Sequence, residues 1–179
     1  MIIHLKNKCA YMLYYTEFGL SEREVPGERS ICIYLSGCCH NCVNCHYPLL
    51  KEKDYGDSLI KYYEDIVALY RKQATCVCLL GEGANTEVEH NEMRIVVEYA
   101  KQQGLKTCLY SGRDIEIEAW MTMFDYIKLG SYQEDKGGLE SLRTNQVMWK
   151  KNSQGAYENI TALFCVDVIS WRNGQISRD

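Results

Sequence analysis

The stretch that decides the fold runs Ser30-Ile31-Cys32-Ile33-Tyr34-Leu35-Ser36-Gly37-Cys38-Cys39-His40-Asn41-Cys42-Val43-Asn44-Cys45-His46-Tyr47-Pro48. Its opening, Ser30–Leu35, is a run of β-branched and apolar side chains that stops at Gly37, the pattern of a short buried strand. Four cysteines then fall within the eight residues 38–45. A buried strand that ends in a loop of soft ligands predicts a sheet whose chemistry lies beyond its carboxyl edge.

Working outward, Leu59, Tyr63, Ile66, Val67 and Tyr70 recur at helical spacing, with Asp57 placed to cap them. Residues 75–80 read as a second buried strand, stopped by Gly81-Glu82-Gly83. Thr86 and Glu89 have capping-box spacing before the apolar stripe Met93, Val96, Val97 and Ala100, and Gly104 ends that helix. Residues 105–110 are a third strand, stopped by Ser111-Gly112. Asp114 is positioned to cap a third helix with Glu116 and Glu118 in its first turn. Residues 125–129 are a fourth strand, ending at Gly130. Fully apolar strands alternating with helices predict an α/β fold with a parallel sheet, an open or partial β/α barrel and not a closed one. The cysteine loop, Gly81-Glu82-Gly83, Ser111-Gly112 and Gly130-Ser131 then converge on one rim. Beyond that, Lys136-Gly137-Gly138 reads as a turn, 146–150 and 160–166 as strands, and the polar stretch from Trp171 as a fraying tail. A single domain over 1–179 is expected, with its core at about 25–167 and a tail at about 168–179.

The bulk properties agree with that class. The 179 residues are 46% hydrophobic and 25% charged, with two prolines, and suffice for one sizeable core. Apolar runs such as those at 76–80 and 162–166 are far too short to cross a bilayer. The amino terminus lacks a cleavable-signal layout, because His4, Lys6, Asn7 and Lys8 break its apolar stretches. A net charge of −4 argues against a nucleic-acid backbone as the main partner, and a cytoplasmic location is expected. In that setting ten cysteines point to metal or redox chemistry and not to disulfides. Cys9, Cys32, Cys76, Cys78, Cys108 and Cys165 are scattered through the chain and read as small buried hydrophobes.

The cysteine loop supports two overlapping spacings. Cys39, Cys42 and Cys45 form C-x2-C-x2-C, the opening of a ferredoxin motif, but its next ligand position is Leu49. A zinc site would draw on Cys39, Cys42, Cys45 and His40 or His46, all within a few residues, whereas structural zinc joins two ligand pairs across a longer loop. Cys38, Cys42 and Cys45 form C-x3-C-x2-C. Three thiolates leave one iron of a four-iron cluster without a protein ligand, open to a cofactor or substrate.

That register, following a first strand, resembles the radical S-adenosylmethionine (SAM) superfamily. Val25-Pro26-Gly27-Glu28, the strand and loop up to Cys45-His46-Tyr47-Pro48, Phe124-Asp125-Tyr126-Ile127-Lys128-Leu129-Gly130 and Thr144-Asn145-Gln146 are similar to the activating proteins of anaerobic ribonucleoside-triphosphate reductase. The resemblance runs from about Val25 to Lys150. It implies a partial barrel of the radical SAM type and a 4Fe-4S cluster on Cys38, Cys42 and Cys45. It also implies reductive cleavage of SAM to methionine and a 5′-deoxyadenosyl radical, and hydrogen abstraction from a glycine of the reductase. That is an oxidoreductase activity of the kind shown by the formate C-acetyltransferase activating enzyme. Gly81 and Glu82 resemble the element that holds the SAM amino group, although Leu80 stands where a first glycine is usual and Ala84 where proline often follows. Ser111 would bond the ribose or carboxylate of SAM, and Arg113 its carboxylate. A low-potential donor such as flavodoxin or ferredoxin would supply the electron. No nucleic-acid or membrane partner is implied. A different glycyl-radical enzyme or a small molecule as substrate, or a non-catalytic iron–sulfur or zinc module, are the alternatives. Lys128 stands in an apolar strand beside the rim; Asn145 and Gln146 match the family without an evident task.

Overall fold

The computed structural model describes residues 13–40, 42, 45 and 47–165. In chain order the elements are β1 (Tyr14–Ser21), β2 (Ser30–Leu35), β3 (Asp57–Ser58), α1 (Leu59–Tyr70), β4 (Cys76–Leu80), α2 (Glu87–Gln102), β5 (Lys106–Tyr110), β6 (Tyr126–Leu129), β7 (Val147–Lys151) and β8 (Tyr157–Asn159). Short 3-10 turns occupy Pro48–Lys51 and Ala119–Met123. The strands form one mixed sheet in the order β3-β1-β2-β4-β5-β6-β7-β8, which ends at β3 and β8 and does not close.

The four strands read from the sequence, β2, β4, β5 and β6, are the parallel centre of this sheet. The expectation of a parallel sheet throughout is corrected at the flanks. β1 pairs antiparallel with β2 and β3, and β7 pairs antiparallel with β6 and β8. The reason is the connection: after β6 the chain turns back through Lys136 and Gly137, whose amides both donate to the Gln133 carbonyl. No helix carries it across the sheet, as a parallel return would need. β1 also lies upstream of the expected core boundary near residue 25, with Leu13 and Tyr15 buried.

One sheet face carries Ile31, Ile33, Leu35, Val77, Leu79, Leu109 and Ile127 against Leu59, Tyr63, Ile66 and Val67 of α1 and Met93, Val96, Val97 and Ala100 of α2. These are the stripes anticipated by helical spacing. The other face carries Cys32, Cys76, Cys78, Cys108, Tyr126 and Met148 under Val25 and Leu139. Cys32, Cys78 and Cys108 stand side by side across three strands. Burial pushes the Cys78 and Cys108 thiols up, so these cysteines behave as apolar core, as expected for scattered ones.

Three local expectations are corrected. Ser58, not Asp57, precedes α1, and Asp57 pairs in β3. No α-helix begins at Asp114, because its carboxylate is occupied by Ser131: Ser131 N donates at 3.2 Å and Ser131 Oγ at 2.7 Å. The chain stays non-helical to Glu118 and forms only the turn Ala119–Met123. Residues 162–165 are helical and not part of a strand; Thr161 Oγ1 and N both bond Asn159 Oδ1, a local capping arrangement. Val166 and the tail from Trp171 lie outside the described residues. Among the described residues, no helix is long and apolar enough to cross a membrane.

The capping box of α2 forms with both arms: Thr86 Oγ1 accepts from Glu89 N, and the Glu89 carboxylate accepts from Thr86 N at 2.8 Å. The same carboxylate, 2% exposed, also accepts from Ala84 N at 2.9 Å. It therefore anchors the loop after β4 as well as the helix. Glu89→Ala is expected to lower unfolding stability by about 1–2 kcal/mol, measured by urea denaturation.

Candidate functional site

Parallel register sets the site. Tyr34 pairs with Leu80, Leu80 with Tyr110, and Tyr110 with Lys128, so the four central strands end at one level. The four loops anticipated at a common rim do meet there. A Cβ on Gly37 would lie 3.5 Å from Ala84 N, and one on Gly112 would lie 3.2 Å from the His40 ring. Gly130 N donates to Arg113 O at 2.9 Å, and Ser111 N to Lys128 O at 2.8 Å. Gly81 has φ +118°, and a Cβ there would crowd the Leu35 carbonyl at 3.3 Å, so a side chain is disfavoured by both backbone and space.

The cysteine loop is rooted at both ends: Gly37 N donates to Glu52 O at 3.0 Å and Cys38 N to Leu50 O at 2.8 Å. Tyr47 packs edge-on against Tyr34 at 5.6 Å. Cys38, Cys42 and Cys45 are half-buried, whereas Cys39 is exposed. Burial pushes the Cys38 thiol up; a backbone hydrogen bond at His40 opposes that rise, and the charges of Cys39, Cys42 and Cys45 add to it. Among the described residues, no three His, Cys, Asp or Glu side chains are gathered tightly enough to hold a metal ion. Asn41, Val43, Asn44 and His46 lie outside the described residues. His40 lies against Gly112.

Beside the loop is a cavity of about 720 Å³, lined among others by His40, Cys42, Arg113, Asp114, Ser131 and Asp135. Its size falls within the range of roughly 300–1,000 Å³ typical of small-molecule sites.

Glu82 and Arg113 are brought together directly. Arg113 Nε donates to Glu82 Oε2 at 2.9 Å and Nη2 to Oε1 at 3.1 Å, a bidentate pair with a side chain only 3% exposed on the glutamate. Arg113 also donates from Nη1 and Nη2 to both oxygens of Glu118, at 3.1 and 2.7 Å. Trp120 Nε1 holds Glu118 at 2.7 Å, and His90 stacks on Trp120 at 3.8 Å. The hydrogen bonds from Arg113 and then Trp120 draw the Glu118 carboxyl below its ordinary range. Burial lowers the His90 imidazole, with Glu82 and Glu118 opposing that shift. The Glu82–Arg113–Glu118 group carries a net charge of −1 with both glutamates ionised. Ser111 is fully buried, and its Oγ accepts from Arg113 N at 3.1 Å.

Sequence reasoning missed Glu118, Trp120 and His90 as parts of this site, since no motif joins them. The expected helix start hid Glu118 as a first-turn charge. Asn145 and Gln146 acquire tasks: Asn145 Nδ2 donates to Ser131 O at 2.9 Å, and Gln146 Nε2 reaches Gly130 O at 3.5 Å. Both brace the turn that follows β6.

Lys128 is 7% exposed. Its Nζ donates to Gly130 O at 2.7 Å and lies 5.8 Å from the Tyr110 ring centroid. Burial pushes its ammonium down to about 8, while Cys42 and Asp114 pull it up. No protein-family model matches this chain, and no curated protein matches its sequence.

The Lys128 shift makes a signed prediction. In the unfolded chain the amine stays protonated to about 10.5, so below pH 8 the fold carries the full cost of a buried charge. Stability therefore rises as pH climbs from about 8 to 10.5. Metal-free Lys128→Met should exceed wild type by about 1–3 kcal/mol at pH 7, an advantage that fades by pH 10.5 in urea titrations.

Proposed function

We propose that this chain is a radical SAM enzyme that activates an anaerobic ribonucleoside-triphosphate reductase by generating its glycyl radical. The observation that carries this reading is the contrast within the cysteine loop. Cys38, Cys42 and Cys45, the C-x3-C-x2-C set, are half-buried and Cys42 lines the cavity, while Cys39, on which the ferredoxin and zinc readings depend, is exposed. Three soft thiol donors without a fourth suit a four-iron cluster with one open iron better than they suit a four-coordinate zinc. The parallel centre β2-β4-β5-β6, with its loops on one rim, fits an open, partial β/α barrel of the radical SAM type.

Cys38, Cys42 and Cys45 would hold the cluster. When bound, that group supplies the electron that splits the carbon–sulfur bond of SAM. The remaining tasks fall to this chain's own side chains. Glu82 offers a buried carboxylate for the ammonium of SAM. The net charge of Glu82, Arg113 and Glu118, with Asp114 and Asp135 on the cavity wall, favours a ligand that carries a sulfonium and an ammonium. Gly81 lets the backbone come close to it, and Ser111 fixes the turn that carries Arg113. A low-potential flavodoxin or ferredoxin would deliver the electron, and the reductase would present its glycine at the cavity mouth.

Single cysteine substitutions test the assignment. Anaerobic reconstitution of Cys38→Ala, Cys42→Ala and Cys45→Ala is expected to lose most of the iron and the reduced-cluster EPR signal, whereas Cys39→Ala keeps both. Retention of the cluster in Cys38→Ala together with loss in Cys39→Ala would favour the ferredoxin or zinc register instead. Partner choice has its own readout: a glycyl-radical EPR signal on incubation with an anaerobic ribonucleotide reductase, and none with other glycyl-radical enzymes.

A further inference from the structure

A carboxylate as buried as Glu82 is costly to leave charged and unpaired. Before any ligand arrives its counter-ion is Arg113, which spends two hydrogen bonds on Glu82. Two more of its five N–H groups go to Glu118. Glu118 is the more exposed partner, with a side chain 42% exposed against 3% for Glu82. It is held from behind by the Trp120 indole, and that ring is braced by His90 of α2. The guanidinium, itself on the cavity wall, thus sits between two carboxylates, one buried and the other half-exposed and held by Trp120.

From this arrangement we infer that Arg113 is an exchangeable counter-ion of Glu82, and that Glu118 is the seat that keeps it when a ligand ammonium takes its place. The inference rests on Glu82 as the ammonium site. In the exchange, the Nε and Nη2 bonds to Glu82 open and the ammonium N–H groups replace them. The Nη1 and Nη2 bonds to Glu118 persist, so neither the carboxylate nor the guanidinium is left unpaired. No proton moves and no charge is created. The device also selects its ligand: a molecule without a cation to offer Glu82 cannot displace Arg113. The positioning residues are accordingly Glu118 and Trp120, which touch no ligand themselves. Arg113 is assigned to Glu82 and Glu118, not to the carboxylate of SAM.

Equilibrium dialysis of radiolabelled SAM against the anaerobically reconstituted, oxidised protein tests this without turnover. Glu118→Gln leaves Arg113 no charged seat but Glu82, and should weaken SAM binding about tenfold. Adding Arg113→Gln removes the competitor, and the double variant should recover to within about threefold of wild type. A merely structural role for Glu118 predicts the reverse, a double variant at least as weak as the single one, and that result overturns the inference. Trp120→Phe removes only the indole donor and alters no charge; it should weaken binding about threefold, and unchanged affinity there contradicts the account even if the double variant fails to fold. Glu82→Gln separates the two levels of failure. Wild-type affinity in Glu82→Gln overturns the ammonium site itself and the exchange with it. Lost affinity in Glu82→Gln without recovery in the double variant overturns the exchange alone.

Discussion

The lateral register of the four parallel strands is the constraint on which the rest of this structure depends. Because Tyr34, Leu80, Tyr110 and Lys128 lie in one row, the residues just beyond them share a rim. Cysteine loop, Gly81-Glu82, Ser111-Gly112-Arg113 and Gly130-Ser131 become neighbours although the sequence spreads them over almost a hundred positions. A slip of one residue in any pairing would turn that strand's apolar side chains to the wrong face. In the β4–β5 pairing it would separate Glu82 from Arg113 at the same time. Packing of Ile31, Ile33, Val77, Leu79 and Leu109 on the two helices therefore secures the fold and the geometry of the site together.

The two faces of the sheet divide the work. The helix-covered face is conventional aliphatic packing. The opposite face is built from Cys32, Cys76, Cys78 and Cys108 with Tyr126 and Met148, and toward the rim its character changes to Tyr34, Tyr110 and Lys128. Lys128, buried with its ammonium on the Gly130 carbonyl and near the Tyr110 ring, is costly to the fold. Its position beside Cys42 places a fixed positive charge where the proposed cluster, with its three thiolates, would bring negative charge. Lys128 thus weakens the fold where the chemistry is proposed, an exchange of stability for function.

What the sequence made legible was whatever depends on local pattern. β2, β4, β5 and β6, the apolar stripes of α1 and α2, and the Thr86–Glu89 box each follow from spacing within a few residues, and each is present. What it hid depends on partners far along the chain. β1 escaped notice because Gly19 and its mixed burial obscure any alternation. The third helix failed because Asp114, an apparent cap, spends its carboxylate on Ser131 seventeen residues away. Residues 160–166 are apolar and β-branched enough to read as strand, yet Thr161 and Asn159 start a short helical turn there. The site divides in the same way: three cysteines and Glu82 stand in short motifs, whereas Glu118, Trp120 and His90 join it only through Arg113 and the fold.

The central claim is that this loop and rim serve to cleave SAM, and product analysis tests it most directly. The anaerobically reconstituted protein, reduced and given SAM, is expected to release 5′-deoxyadenosine and methionine in equal amounts, with Cys38→Ala releasing neither. A protein that carries a full, reducible cluster and yet yields no 5′-deoxyadenosine would contradict it.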